Sequence, residues 1–232
     1  MMNKLLMLVL APILLWQGKR VQRTTVRLPE ASGERAGVMG AGKSLRLLVL
    51  GDSAAAGVGC ATQAEAVTGQ LVQRLAETYR VTWELWAQSS LTCEGVCQLA
   101  EQHAGGIKFD VVLISVGVND VTRRTAPTKW QHDLSALTQL LRTEFQAQRI
   151  VFTALPPMHK FPALPQPLRW FIGRQARVLD IELKHHCRRH DCDYLALDLP
   201  FAADYMAADG FHPSAQAASL WAHGVSDLLQ ND

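Results

Sequence analysis

At 232 residues and 48% hydrophobic content, the chain is long enough for one α/β domain with a short extension and too apolar for a disordered polymer. Its net charge of +2 is unevenly spread: residues 1–44 carry a net +5 and the remainder a net −3. The body therefore presents no basic face of the kind that binds nucleic acid, and no internal repeat points to a solenoid.

The N-terminal segment, 1–23, reads MMNKLLMLVLAPILLWQGKRVQR, in which Leu5 to Trp16 is an unbroken apolar run of twelve. That length matches a signal-peptide core and falls short of the ~20 residues of a full span. No small-x-small cleavage site follows; Lys19, Arg20 and Arg23 do. The segment is expected to be an uncleaved signal-anchor or a shallow membrane anchor, with a buried core helix as the alternative. Export would place the body outside the cytoplasm, whereas the basic residues after the run favour keeping it inside. Residues 24–44 read as a polar linker with Pro29, Ser32 and four glycines.

The end of that linker, GVMGAGKS (Gly37 to Ser44), fits the phosphate-loop pattern G-x-x-x-x-G-K-[ST] letter by letter. A phosphate loop needs a strand before its first glycine and a helix after its Lys-Ser, so that helical N–H groups face phosphate. Here Pro29 to Ala36 precede the motif, and a short apolar run resembling a strand follows it. P-loop nucleotide binding is set aside on that ground.

From Leu45 onward, short apolar runs alternate with helical spacing. LRLLVL (45–50), VTWELW (81–86), DVVLIS (110–115), RIVFTA (149–154) and DYLALD (193–198) predict strands. Ala64–Tyr79, Cys93–His103, Trp130–Gln146 and Leu168–Arg189 predict helices, and a last helix is expected after Pro213. The alternation predicts one domain over 45–232, a three-layer α/β/α sandwich on a five-stranded parallel sheet. Sites in such sheets lie off the carboxyl ends of the strands.

Three short motifs fall at that edge. Gly51-Asp52-Ser53 follows the first strand and puts Ser53 at an expected strand-to-helix turn. SVGVND follows the third, where Asn119 offers two amide donors to a developing oxyanion and Gly117 removes a side chain where backbone and substrate come close. DGFHP precedes the last helix, where His212 is a general base and Asp209, three residues earlier, can fix its tautomer. Each motif alone reads equally as a turn or helix cap; their order and shared edge make them one site.

These blocks, Gly51–Ser53, Gly117–Asp120 and Asp209–Pro213, resemble those of the SGNH hydrolases, the GDSL esterase/lipase superfamily, over Leu45 to the C-terminus. GVNDVT, LPQPLRW and DGFHPS are similar to a bacterial lipase/esterase subgroup linked to N-acyl amino acid biosynthesis. The resemblance implies a flavodoxin-like fold and a serine esterase with the triad Ser53, Asp209 and His212. It also implies oxyanion donors from Ser53, Ser90 and Asn119, with Gly51, Asp52, Gly117 and Asp120 in support. It implies no cofactor and no metal and an acyl-ester or thioester substrate; the N-terminal segment adds the expectation of a bacterial inner-membrane or periplasmic location, on either side of the membrane. One block departs: Ser90 stands where the family has glycine, and a serine is strained if that turn needs a positive φ. Gly95 is the less favoured donor because it sits deeper in the helix. An acyltransferase and a non-catalytic lipid-binding module are the alternative functions.

Pro156 to Gly173, rich in proline and aromatic residues, is expected either to cover the acyl chain as a flap or to close the core, and Arg123 and Arg124 either to meet an anionic head group or to form a solvated helix entry. Five cysteines leave one unpaired, with Cys187 and Cys192 spaced to bridge across a helix end. His185, His186, Cys187, His190 and Cys192 match no standard zinc spacing, and a polar helix end explains them as well.

Overall fold

The structure, a computed structural model, describes residues 4–197, 199–200 and 202–230. Five strands form the parallel part of the sheet: β2 (Lys43–Gly51), β3 (Tyr79–Ala87), β4 (Val111–Ser115), β5 (Arg149–Thr153) and β6 (Asp193–Leu195). All five coincide with predicted strands; Asp198, the predicted end of the last, lies outside the described residues. A sixth strand, β1 (Ala36–Met39), pairs antiparallel with β3 at the edge, giving the order β1-β3-β2-β4-β5-β6. The sheet therefore has six strands where the sequence predicts five, because part of the apparent linker supplies the edge strand.

The alternating side chains of β2 show why the sheet takes helices on both faces. Leu47 and Val49 enter one core with Leu71 and Leu75 of α2 (Val67–Leu75) and Trp221 of α7 (Ala215–Gln230). Leu48 and Leu50 enter the other, with α3 (Cys93–Glu101), α5 (Pro127–Thr143) and α6 (Leu168–Arg189). A strand that is apolar on both faces is the signature of a parallel sheet covered on both sides. The short α4 (Val118–Arg123) lies on the carboxyl edge after β4.

The N-terminal run is part of one helix, α1 (Lys4–Thr24), which continues through the polar residues after it. Leu14 and Gln17 are buried. Gln17 grips the start of α6, its Nε2 donating to the Gln166 carbonyl (2.6 Å) and its Oε1 accepting from Leu168 N–H (3.0 Å). The Leu168 amide opens α6 and has no partner within its own helix, so Gln17 satisfies it. Among the described residues no helix is long and apolar enough to cross a membrane.

GVMGAGKS lies at the opposite edge from the motif serine. Gly37 to Met39 belong to β1, and exposed Lys43 and Ser44 open β2. Between them the chain squeezes past the end of α2: a Cβ on Gly40 (φ +84°) would lie 2.3 Å from the Tyr79 carbonyl and 2.5 Å from that of Ala76. The glycine is needed for this crossing, and no helix follows Ser44. Gly40→Ala should destabilise the fold by at least ~2 kcal/mol, while Lys43→Ala should stay within ~0.5 kcal/mol. Denaturant titration of both variants tests this; equal stabilities would contradict it.

Candidate active site

Parallel pairing sets the ends of three strands level, since Gly51 of β2 is in register with Ala87 of β3 and Ser115 of β4. The chain leaves each strand at the same height, and the three exits form one edge. Asp52 N–H donates to Ser115 O (3.1 Å), which holds the turn after β2 against β4. Residues 53–59 are turns, closed by Ala56 N–H to Asp52 O (2.9 Å) and Val58 N–H to Ser53 O (3.0 Å). Gly57 and Gly59, at φ +80° and +103°, stop these turns from propagating, and α2 begins only at Val67.

Ser53, His212 and Asp209 form one hydrogen-bonded chain. His212 Nε2 lies 2.8 Å from Ser53 Oγ, and His212 Nδ1 lies 2.5 Å from Asp209 Oδ2. The other carboxylate oxygen, Oδ1, accepts the backbone N–H groups of Phe211 (2.9 Å) and His212 (3.0 Å). Burial alone would raise the Asp209 carboxyl, but the bonds from the His212 ring and from these two amides outweigh it and lower its pKa. An ionised Asp209 requires a proton on Nδ1, which leaves Nε2 to accept from the serine hydroxyl. A serine so paired has the geometry that nucleophilic catalysis requires, with a base within hydrogen-bond reach.

Facing it is a group of donors. Asn119, in the first turn of α4, spends one amide proton on the Leu91 carbonyl (2.9 Å). The second makes only a long contact, 3.4 Å, with Asp52 Oδ2. That weak bond is the one a stronger acceptor would replace. Among the described residues, no protein acceptor takes the N–H of Ser53 or Ser90. Gly95 N–H is turned to the Thr92 hydroxyl that caps α3, so it is not available to a substrate.

Ser90 has φ +71°, the left-handed region that disfavours a side chain. Its neighbours hold the turn in place. Glu30 accepts Ser89 N–H (2.7 Å), and Arg35 bridges Glu30 (2.6 Å) and the Ala87 carbonyl (2.7 Å). Arg123 Nη2 donates to the Ser90 carbonyl (2.9 Å). Strain of this kind persists only where surrounding contacts over-determine the backbone. Nothing in the sequence marked Glu30 or Arg35, because they act on backbone groups some fifty residues away in a stretch without periodicity. Arg123 and Arg124 do not line the cavity as a head-group site would; Arg124 lies over the Phe171 ring instead, 5.6 Å from its centroid.

The remaining predicted supports act on the backbone. Buried Asp120 accepts Cys93 N–H (3.0 Å) and the Thr125 hydroxyl (3.2 Å), tying α4 to the start of α3. Gly117, at φ +116°, makes room for Leu155 rather than for substrate: a Cβ there would meet that side chain at 2.9 Å. Asp52 is wholly buried, and burial pushes its carboxyl up to about 7 despite the Ala54 N–H that Oδ1 accepts (3.1 Å).

Ser53, Ser90, Asn119, Asp209 and His212 open into one cavity of about 720 Å³. Its walls are largely apolar, with Val58, Leu155, Phe161, Met206, Phe211 and Trp221 among them. The segment 156–173 contributes Pro156, Pro157 and Phe161, while Met158, Leu164 and Phe171 turn into the core, so it closes the core more than it covers the site. The outer wall is instead Val21 to Leu28, the end of α1 and the residues after it, with Arg27 the basic side chain at the rim. All five cysteines are free thiols, so Cys187 and Cys192 do not pair. Among the described residues no His/Cys/Asp/Glu group is arranged to hold a metal. His186 is buried instead, hydrogen-bonded to Thr138 (2.9 Å) and stacked on His190, and burial lowers its pKa to about 4.

Residues 49–220 match the GDSL-like lipase/acylhydrolase family. A GDSL-like esterase of Mycobacterium tuberculosis is 34% identical over 204 residues, covering 80% of this chain and 60% of that protein. The chain thus spans about 60% of the length of that relative. The crystal structure of TesA superposes with a TM-score of 0.65 at 23% identity, covering 80% of this chain and 98% of that one. That of a psychrotrophic esterase, EstA, from Pseudoalteromonas sp. gives 0.59 at 23% identity, covering 80% and 96%. At such identities the structural likeness is one of fold.

Relieving the turn strain by Ser90→Gly should raise stability by ~1 kcal/mol, read as a higher denaturation midpoint at unchanged slope; a lower midpoint would contradict the strain. Asp52 favours its neutral form in the fold, so its contribution is full below pH 4 and is lost as pH rises through about 7. The stability of Asp52→Asn relative to the native chain should therefore climb between pH 4 and 7 and then level off; a flat difference would contradict a buried, raised carboxyl.

Proposed function

Given that the chain belongs to the GDSL-like lipase/acylhydrolase family, we propose that it is a serine esterase that hydrolyses carboxylic esters of acyl lipids, lysophospholipids among them, through an acyl-enzyme on Ser53. The single observation that carries this reading is the bonded chain Asp209–His212–Ser53 opening into an apolar cavity of about 720 Å³.

His212 Nε2 takes the proton from Ser53 Oγ as that oxygen attacks the ester carbonyl carbon. The oxyanion is met by the N–H groups of Ser53 and Ser90 and by Asn119 Nδ2, whose long contact to Asp52 gives way. As the tetrahedral intermediate collapses, the C–O bond to the alcohol breaks and His212 returns its proton to the leaving oxygen. A water molecule, deprotonated by His212 in turn, then releases the acid. Asp209, held ionised, stabilises the imidazolium in both halves. The apolar walls suit an acyl chain, and Arg27 at the rim suits an anionic head group.

Ser53→Ala should abolish hydrolysis of p-nitrophenyl acyl esters, and Asn119→Ala should lower kcat about a hundredfold with less change in KM. Steady-state kinetics across chain lengths measures both. Full activity in Ser53→Ala would overturn the nucleophile, and an Asn119→Ala effect confined to KM would remove Asn119 from the oxyanion site.

A further inference from the structure

Helix α1 has two apolar faces, and only one is used inside the protein. Leu10, Leu14, Gln17 and Val21, at helical spacing, turn toward the body: Leu14 and Gln17 are buried and Leu10 and Val21 pack against the core. Away from that face, Val9, Ile13 and Trp16 form a stripe that is 65%, 46% and 60% exposed, and Leu15, on the other flank of the exposed arc, is 54% exposed. Three large apolar side chains at i, i+4 and i+7 on one stripe exceed the scattered exposure of an ordinary surface.

The charge of the same face is ordered along the helix. Past Trp16 it continues through Arg20 and Arg23, both exposed, with Lys19 alongside and Arg27 after the helix. The Arg20 guanidinium lies over the Trp16 ring, 5.5 Å from its centroid. Residues 9–27 hold no acidic side chain. An apolar half, a tryptophan at the junction and a basic half match the layers met on passing from acyl chains to anionic head groups.

The helix ends at the cavity. Val21, Thr25, Val26 and Leu28 line it and Val26 is 58% exposed, so the basic end of α1 adjoins the site. These residues lie outside the span, 49–220, that matches the family.

We propose that α1 is an obliquely seated interfacial membrane helix, whose N-terminal half enters the bilayer and whose C-terminal half stays at its surface. Its Val9–Ile13–Trp16 face sinks into the acyl layer of an anionic bilayer, its basic half rests on the head groups, and its end holds the cavity mouth against the surface, so that acyl substrate enters Ser53's cavity directly from the lipid. The Gln17 grip on α6 makes this geometry rigid, because the helix that meets the membrane is bonded to the body. The entry route rests on the esterase reading above; the membrane contact does not. A lipid surface fits better than a second copy of the chain, because parallel pairing of two such faces would bring like charges together and antiparallel pairing would lay each basic half on the partner's apolar half.

The test is co-sedimentation of the full chain with vesicles of phosphatidylglycerol and phosphatidylcholine, alongside the double variant Ile13→Glu/Trp16→Glu. Neither residue lines the cavity. The native chain should bind phosphatidylglycerol-containing vesicles in preference to pure phosphatidylcholine, and the variant should lose at least about tenfold in partition. Hydrolysis of a long-chain ester presented in those vesicles should fall in parallel, while hydrolysis of a soluble short-chain ester stays unchanged and shows that the variant is folded. No vesicle binding by the native chain, a lipid-free dimer in its place, or equal binding by the variant would overturn the proposal. Vesicle binding without hydrolysis of any ester by the native chain would overturn the esterase reading instead and leave the membrane helix standing.

Discussion

Everything at the candidate site depends on the parallel register of three strands. Gly51, Ala87 and Ser115 end at the same height because β3 and β4 flank β2 in parallel without offset. A slip of one residue in either pair would exchange the two faces of a strand, driving Leu48 and Leu50 into the wrong core. The apolar packing that stabilises the sheet is therefore the same constraint that fixes where Ser53, the Ser90 turn and Asn119 emerge. Asp209 and His212 reach this edge from the loop before α7, whose Trp221 is buried in the core against α2.

Backbone hydrogen bonds refine that placement. On one side Asp209 receives two amides as well as the imidazole, which fixes both its charge and the orientation of the ring. On the other, Ser90 occupies a backbone region that glycine enters freely, and the turn is held from outside by Glu30, Arg35 and Arg123. Two of these three come from the segment between α1 and β1. The N-terminal extension thus acts on the site twice, bracing the Ser90 turn and walling the cavity.

The parallel core was legible because its strands are apolar on both faces and its long helix, Leu168–Arg189, keeps a 3.6-residue repeat throughout. Ser53, Asn119, Asp209 and His212 were legible because order along the chain and a shared strand edge reinforce one another. The edge strand β1 was not: AGVM is four residues long and mostly exposed, so it lacks the apolar alternation that announces a strand. The first helix was legible only approximately: it runs Val67–Leu75, inside the predicted Ala64–Tyr79, because the residues before Val67 are turns and those from Tyr79 on belong to β3. Glu30 and Arg35 left no trace in any pattern, since their partners are backbone atoms brought near only by folding.

The phosphate-loop match shows the same principle from the other side. Its glycines serve a chain crossing at the amino edge, and its Lys-Ser opens a strand, so each letter has a local cause unrelated to phosphate. The central claim is that Ser53 is an activated nucleophile, and reaction of the full chain with a fluorophosphonate probe, followed by peptide mass analysis, tests it most directly. The account predicts one phosphonyl adduct, on Ser53, absent in His212→Ala; no adduct, or an adduct on another serine, would contradict it.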